Sequence, residues 1–244
     1  MRARPVVVVG GRQAGAKTKG EKGMKTVIFD LDGTLADTSA DLIASANYCF
    51  REMGLGDLLD PVADAGVAFR GGRAMLALGM ARAQTPDAAA QVEAYYPVLL
   101  RAYGAAIDVH TRLYPGAIEA VEALKTGGYR VGICTNKPQA LAETLMQRLG
   151  VRGMFASLVG ADTLPQRKPD PAPFVHAVQL AGGAPAQACL IGDTITDRKT
   201  AQAAGVPCVL VGFGPDGMGV AQLAPEAIIS HYSELPGVVR QLLG

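Results

Sequence analysis

The sequence predicts an α/β protein with a doubly wound, mostly parallel sheet and an inserted all-helical cap domain. From residue 25 onward, short apolar runs alternate with longer helix-like segments, which is typical of a parallel sheet covered by helices on both faces. One block, residues 38–112, shows helical periodicity and no strand-like run, and this predicts the insert. Hydrophobic residues make up 49% of the 244 residues, enough for one sizeable core and a smaller insert.

Six apolar runs are the predicted strands of the sheet. They are short, most are separated by helix-like segments, and they cover residues 27–29, 131–134, 158–159, 189–191, 208–211 and 228–230. Pro138 and Asp170-Pro171 are typical of helix starts, because the first turn of a helix tolerates proline. Helix ends are expected at glycines that can adopt the left-handed conformation, namely Gly127-Gly128, Gly150 and Gly205.

The insert shows signals for three helices. The first ends at Gly54, and its apolar face is formed by Leu42, Ala46, Cys49, Phe50 and Met53. Asp60-Pro61 and Thr85-Pro86 predict the next two helix starts, and Pro97 predicts a kink or a break in the last helix. Tyr114-Pro115-Gly116 is typical of a return hinge. We therefore predict a catalytic core at residues 24–37 and 113–244 and a helical cap at residues 38–112.

Charge and composition argue against several classes of partner. The net charge of +1 gives no reason to expect nucleic acid or an anionic membrane surface. No apolar run approaches the ~20 residues that a membrane-spanning helix needs. Three of the four scattered cysteines, Cys134, Cys189 and Cys208, lie in strand-like runs, where cysteine usually behaves as a small hydrophobic residue. With no signal-peptide pattern, these features favour a cytoplasmic protein, and the oligomeric state is left open.

Residues 1–23 differ in composition from the rest of the chain. They hold six of the 23 basic residues and one of the 22 acidic residues, so the remainder is mildly acidic. Residues 11–18 nearly match the phosphate-binding P-loop, but Ala16 stands where that motif requires glycine. Gly20 and Gly23 follow where the loop should open a helix. We expect no nucleotide site here and interpret residues 1–23 as a basic, flexible extension.

Polar residues follow four of the predicted strands at their carboxyl ends. The first run leads into residues 30–35 (DLDGTL), the second into Thr135-Asn136, and the fourth into residues 192–197 (GDTITD), while Lys168-Pro169 follows the third. Each cluster alone could be a turn or a helix cap. Because ligands bind outside the carboxyl ends of parallel strands, their joint placement favours one shared functional site.

In this order the four clusters resemble the haloacid dehalogenase (HAD) superfamily, in which an aspartate–x–aspartate signature, a threonine or serine, a lysine and an acidic loop surround one metal-bound phosphate. The resemblance covers about residue 25 to the C-terminus. Residues 29–38 (FDLDGTLADT), with a helical insert directly behind them, resemble the phosphoglycolate phosphatase branch. This implies a Rossmann-like core with a type 1 cap, Mg²⁺ as cofactor and a small phosphorylated substrate. Thr194 stands where the family often has serine, which keeps the hydroxyl.

Phosphoryl chemistry is consistent with the roles that this resemblance implies. A phosphate dianion repels a carboxylate, so Asp30 can be the nucleophile only where Mg²⁺ neutralises charge, with Asp30 and Asp193 as carboxylate ligands. The resemblance implies that Asp32 binds the metal through its backbone carbonyl and acts as acid and base through its carboxyl group. Lys168 and Thr135 are expected to bind the transferring oxygens. Asn136 and the backbone N–H groups near Gly33 and Thr34 are expected to help bind the substrate. Asp197 is expected to orient the acidic loop or a metal-bound water, and Thr194 to support the site from the same loop.

Three features of the sequence reduce the number of reactions that this family resemblance allows. Asp32 argues against a dehalogenase, which needs no acid for an alkoxide leaving group, and the cap has no lysine for the Schiff-base chemistry of phosphonatases. Arg70 and Arg73 flank a Gly-Gly pair and either meet a second anion on the substrate, such as a carboxylate, or lie on the surface. We therefore predict 2-phosphoglycolate as the substrate. The alternatives are a sugar-phosphate phosphatase or mutase, a pyrophosphatase, and a non-catalytic phosphate-binding protein.

Overall fold

The structure, a computed structural model, describes residues 24–244. In chain order the strands are β1 Met24–Phe29, β2 Ala36–Asp37, β3 Arg112–Leu113, β4 Arg130–Cys134, β5 Ser157–Val159, β6 Gly183–Gly192, β7 Cys208–Val211 and β8 Ala227–Ile229. The helices are α1 Ser39–Glu52, α2 Ala65–Ala68, α3 Gly72–Arg82, α4 Ala88–Ala105, α5 Ala117–Thr126, α6 Gln139–Arg148, α7 Ala172–Leu180, α8 Ile195–Ala204 and α9 Leu235–Leu243. The predicted extension at residues 1–23, with its P-loop-like segment, lies outside the described residues.

Six of these strands form one parallel sheet in the order β5-β4-β1-β6-β7-β8. Each predicted run overlaps one of the six, so the prediction of a parallel α/β sheet is confirmed. β1 lies in the middle, where Phe29 is paired with Ile133 of β4 and with Ile191 of β6. The chain leaves β1 for β4 and β5 on one side and continues at β6 on the other, which makes the carboxyl end of β1 the switch point of the sheet.

Residues of β1 alternate between two hydrophobic cores, one on each face of the sheet. Val27 and Phe29 pack in the core that α5, α6 and α9 cover, and Ile28 packs in the core under α7 and α8. All three side chains are fully buried, which contributes about 1.5–3 kcal/mol each to stability. β1 is thereby anchored on both faces, and the loop that follows it starts from a rigid position.

Helices α1–α4 form the predicted helical insert between β2 and β3. These two short strands pair antiparallel, with Ala36 opposite Leu113, and carry the chain into and out of the insert side by side. The insert has a hydrophobic core of its own, which includes Ile43, Phe50 and Met75. An inserted all-helical segment on an α/β core is therefore confirmed, while the domain boundaries at residues 38 and 112 stay a prediction.

Two details of the insert differ from the sequence prediction. Asp60-Pro61 starts a series of turns and not a regular helix: Asp60 Oδ1 accepts hydrogen bonds from the N–H groups of Val62 and Ala63, and Asp64 Oδ2 accepts from the Asp60 N–H. A regular helix begins only at Ala65. Pro97 does not break α4, which runs through it. Pro97 is exposed, so water can satisfy the carbonyl that loses its helical partner.

The cysteines lie where the sequence analysis expects a small hydrophobic residue. All four are free thiols and are buried, and burial raises the pKa of Cys134 and Cys189 to about 12. Such thiols are poor nucleophiles. The cytoplasmic location inferred partly from them stays a prediction. Among residues 24–244, every helix is too short or too polar to cross a bilayer.

Candidate active site

Polar side chains from three adjacent strands meet at the carboxyl edge of the sheet. Asp30 follows β1, Thr135 follows β4 and Asp193 follows β6. The loops are held to neighbouring strands by backbone hydrogen bonds, from Asp30 N–H to the Ile191 carbonyl (2.8 Å) and from Thr135 N–H to the Val159 carbonyl (2.9 Å). The predicted convergence of these residues therefore follows from the parallel order of β4, β1 and β6.

Lys168 lies between two carboxylates beneath this edge. Its Nζ is 3.0 Å from Asp30 Oδ2 and 2.7 Å from Asp197 Oδ1, and its side chain is 1% exposed. Burial acts against its charge, but Asp197 and Asp30 raise its pKa above the usual value. Asn136 Nδ2 donates to the Lys168 carbonyl (3.0 Å), so Asn136 holds the lysine loop in place. Lys168 is thus a fixed, buried cation beside Asp30.

Asp193 combines one satisfied carboxylate oxygen with one that has no partner. Its Oδ1 accepts from the Thr34 hydroxyl (2.7 Å), whereas no described residue makes a hydrogen bond with its buried Oδ2. A Cβ on Gly33 would lie 2.3 Å from that oxygen, and Gly33 has a φ of +81°, so only glycine fits this approach. The acidic loop and the loop after β1 therefore touch directly at Asp193.

Asp30, Asp193 and Asp197 form a carboxylate cluster with oxygens within 4.8 Å of one another. Burial raises the pKa of Asp30 to about 7, against the lowering effect of Lys168, and burial together with Asp197 raises the pKa of Asp193 well above its usual range. One ammonium does not balance three close carboxylates. An octahedral Mg²⁺ prefers oxygen ligands of this kind, so the unpartnered Asp193 Oδ2 and the excess negative charge fit a bound Mg²⁺.

Asp197 organises the acidic loop rather than facing the cavity. Its Oδ2 accepts from the Thr194 hydroxyl (2.8 Å) and from the backbone N–H groups of Thr194 (3.1 Å) and Asp193 (3.3 Å). This arrangement also caps the start of α8. With its other oxygen on Lys168, Asp197 uses both oxygens in contacts within the protein, and Thr194 is one of its partners. The supporting role expected for these two residues stays a prediction.

Asp32 lies in a separate environment on the other side of Asp30. Its Oδ1 accepts from the Thr38 hydroxyl (2.6 Å) and from Lys137 Nζ (2.8 Å). Lys137, which is 105 positions from Asp32 and directly follows Thr135-Asn136, was not among the residues predicted from the sequence. Its position at the end of a strand, beside two residues already selected, was the signal that could have identified it.

Three groups that were predicted to bind the substrate make hydrogen bonds within the protein. The backbone N–H of Gly33 donates to the Ala36 carbonyl (2.9 Å) and that of Thr34 to the Leu31 carbonyl (3.3 Å). In this structure these groups close the turn after β1 and do not point at a shared anion site. The Thr135 hydroxyl oxygen accepts from the Lys137 N–H (3.1 Å) and retains its own proton for donation.

A cavity of about 530 Å³ opens above these residues, between the carboxyl edge of the sheet and the helical insert. On the side of the sheet, the cavity is lined by Asp30, Asp32, Thr135 and Lys168. The insert contributes residues from 66–72 and from α4, among them Arg70, Tyr96 and Tyr103. The space is large enough for a small substrate and is bounded on two sides.

The structure separates the two arginines that the sequence analysis treats together. Arg70 is exposed, lines the cavity and has no ion-pair partner among the described residues. Arg73 instead binds Glu93 through Nε (2.7 Å) and Nη2 (2.8 Å) and lies 3.7 Å from the centre of the Tyr96 ring. Arg73 therefore links α3 to α4, and only Arg70 is placed to meet a substrate.

Comparison with known proteins agrees with this arrangement. The sequence pattern of the family described as "Haloacid dehalogenase-like hydrolase" matches residues 27–211. The chain is 38% identical to a phosphoglycolate phosphatase of Mesorhizobium japonicum over 86% of this chain and 92% of that protein, and 34% identical to one of Agrobacterium fabrum over 88% and 93%. A solved structure described as a "predicted phosphoglycolate phosphatase" of Haemophilus somnus has a TM-score of 0.78 at 26% identity, covering 88% of this chain and 97% of that one.

Proposed function

The chain belongs to the haloacid dehalogenase-like hydrolase family, and we infer that it is a phosphoric monoester hydrolase. We propose that its substrate is 2-phosphoglycolate and that the reaction passes through a phosphorylated Asp30. The observation that carries this proposal is the placement of two nearby aspartates in different surroundings. Asp30 lies beside Lys168 and Asp193, whereas Asp32 lies beside Thr38 and Lys137. One carboxyl group can then bond to phosphorus while the other transfers protons.

In the first half of the reaction, an Asp30 carboxylate oxygen attacks phosphorus. The bond between phosphorus and the bridging oxygen breaks, and Asp32 donates its proton to the departing alkoxide. In the second half, Asp32 takes a proton from a water molecule, the water oxygen bonds to phosphorus, and Asp30 leaves as a carboxylate. Inorganic phosphate and an alcohol are the products, and Asp32 ends the cycle protonated as it began.

The carboxylate cluster is the proposed Mg²⁺ site. Asp30 and Asp193 would hold the ion through side-chain oxygens, and Asp32 through its backbone carbonyl. When bound, Mg²⁺ would neutralise the charge that the phosphate dianion and Asp30 bring together. The close fit of Gly33 against Asp193 supports this assignment, since it places the Asp193 carboxylate next to the loop that bears Asp30.

Positive charge and hydrogen-bond donors next to Asp30 support the transfer step. Lys168 is fixed 3.0 Å from Asp30, so it can bind a phosphoryl oxygen without reorganisation as charge develops. The Thr135 hydroxyl lines the same cavity and can donate to another phosphoryl oxygen. We assign to Asn136 and Asp197 the positioning of Lys168, because each makes a hydrogen bond with that residue.

The choice of 2-phosphoglycolate rests on two observations. The relatives named above carry that activity in their names, and the cavity admits a small substrate with Arg70 at its rim. The experiment that tests the function is a release assay for inorganic phosphate. Purified protein would be given 2-phosphoglycolate, ethyl phosphate, a hexose phosphate and pyrophosphate, each with Mg²⁺ and each with EDTA.

We expect release from 2-phosphoglycolate with the highest kcat/KM of the panel, and we expect EDTA to abolish it. If the hexose phosphate or pyrophosphate ranks first, the proposed substrate is wrong while the phosphatase stands. If no phosphomonoester is hydrolysed in Mg²⁺, the proposed activity itself is wrong.

A further inference from the structure

Tyr103 presents a buried hydroxyl without a partner to the catalytic cavity. It lies on α4, its side chain is 1% exposed, and its Oη is at hydrogen-bond distance and angle from no described residue, although the Lys137 ammonium interacts with it. An ammonium can only donate, so the hydroxyl proton of Tyr103 has no acceptor among these residues. A buried hydroxyl is normally hydrogen-bonded, so one that lines a cavity indicates a bound group that completes it. Burial raises the pKa of Tyr103 to about 12, which keeps the hydroxyl protonated and able to donate.

Lys137 lies next to Tyr103 and also lines the cavity. Its Nζ is 4.4 Å from the centre of the Tyr103 ring and 2.8 Å from Asp32 Oδ1, and its side chain is 4% exposed. Its Nζ lies within ion-pair distance of the Asp32 carboxyl group, as expected for an ammonium cation. An ammonium has three N–H donors, and Asp32 uses one of them. Among residues 24–244, Asp32 and Tyr103 account for two of these donors at most, so a positive charge with a donor left for a ligand lies beside the proposed acid–base group.

We propose that Tyr103 Oη and Lys137 Nζ form a subsite that binds the carboxylate of the leaving group. This inference rests on the proposed function, because it places the leaving oxygen at Asp32. Any group that accepts a proton from Asp32 brings its next atoms beside Lys137, which is in contact with the same carboxyl group. In 2-phosphoglycolate the carboxylate carbon is two atoms beyond the phosphorus-bridging oxygen, so its carboxylate can reach these donors.

The surroundings favour a carboxylate over a hydroxyl or an apolar group. Lys168, the cation on the phosphate side, already faces the two carboxylates of Asp30 and Asp197, whereas Lys137 forms an ion pair with Asp32 alone among residues 24–244. The apolar side chains of Leu42, Leu99 and Leu141 line the same cavity. Charge-assisted hydrogen bonds are stronger in such low-dielectric surroundings, and the restricted space favours short leaving groups.

The test compares two substrates that differ only in the group under study. Ethyl phosphate carries a methyl group where 2-phosphoglycolate carries its carboxylate, so the ratio of their kcat/KM values reports recognition of the carboxylate. Tyr103→Phe removes only the unpartnered hydroxyl, and we expect it to lower this ratio about 10- to 100-fold, as for loss of a hydrogen bond to a charged group. Tyr95→Phe makes the same change on the same helix outside the cavity, and it should leave the ratio and the activity unchanged.

A merely structural Tyr103 would give a different pattern. Removing a buried hydroxyl that has no partner would leave the melting temperature equal or higher and the substrate ratio unchanged. A fall in the ratio of less than fivefold in Tyr103→Phe therefore overturns the proposal. Lys137→Met provides a second variant: it should slow both substrates, because Lys137 holds Asp32, and it should also lower the ratio at least tenfold.

The variant Arg70→Ala tests whether the substrate carboxylate is bound by Arg70 at the rim of the cavity or by the subsite of Tyr103 and Lys137. If Arg70→Ala lowers the substrate ratio and Tyr103→Phe does not, the carboxylate is bound by Arg70 and the subsite is wrong, while the proposed function stands. If the wild-type protein hydrolyses neither substrate in Mg²⁺, the proposed function fails and the subsite fails with it. The rate of phosphate release by the wild-type protein therefore distinguishes a failure of the subsite alone from a failure of the proposed function.

Discussion

Replacement of Gly33 by alanine tests the contact between the catalytic loop and the acidic loop. A Cβ on Gly33 would lie 2.3 Å from Asp193 Oδ2 and 2.9 Å from Asp193 Cγ, and the backbone has a φ of +81°. The left-handed conformation costs a side chain about 1–2 kcal/mol. The clash adds about 1–3 kcal/mol, as for other overpacked buried sites. We therefore expect Gly33→Ala to lower the free energy of unfolding by about 2–5 kcal/mol.

Gly128 provides a matched control for the backbone contribution. Its φ is +86°, and a Cβ there would meet no atom within 4 Å. Gly128→Ala should therefore cost only the ~1–2 kcal/mol of left-handed strain. Urea denaturation of both variants, monitored by circular dichroism, gives the two free energies, and their difference isolates the contact with Asp193.

The same substitution should affect the metal site. Because the new Cβ displaces the Asp193 carboxylate, Mg²⁺ should raise the melting temperature of the wild-type protein and of Gly128→Ala, but not of Gly33→Ala. Phosphatase activity should be lost only in Gly33→Ala. The reasoning would be refuted if the two variants lost the same free energy and both kept Mg²⁺-dependent activity.

Three further predictions concern the carboxylates. Asp30→Asn should abolish phosphate release with little change in melting temperature, and activity within tenfold of wild type would remove Asp30 from the nucleophile role. Asp32→Asn should slow turnover by ~10²–10⁴-fold, and less for the first step with nitrophenyl phosphate, whose leaving group needs less protonation; an equal loss of single-turnover rate for good and poor leaving groups would contradict the acid assignment. In metal-free protein, the raised pKa of Asp30, about 7, favours the folded state at low pH, and this contribution is lost as pH rises from about 4 through 7. Mg²⁺ should therefore raise the melting temperature more at pH 7.5 than at pH 5.5, and an equal shift at both pH values would argue against these ligands.

The helical insert shows where local sequence signals are not sufficient. Asp60-Pro61 has the composition of a helix start, and the Asp60 side chain accepts from the next N–H groups, yet regular helix begins only at Ala65. Arg70 and Arg73 look equivalent around their glycines, but Glu93 and Tyr96 bind only Arg73. For Arg73 the side chains that decide its role lie on α4, and the local pattern around the glycines does not reveal that contact.

The sequence by itself determined the sheet, the order of its strands along the chain and the convergence of Asp30, Thr135 and Asp193. These features depend on local apolar runs and on the rule that parallel strands place their carboxyl ends at one edge. Only the tertiary structure decided which side chains meet across that edge. The contact of Lys137 with Asp32 joins residues 105 positions apart, and Tyr103 on α4 approaches Lys137 from the insert. The first contact depends on β1 and β4 being neighbours in the sheet, and the second on how the insert packs over the sheet. Local patterns encode neither arrangement, and both contacts set the environment of the proposed acid–base residue.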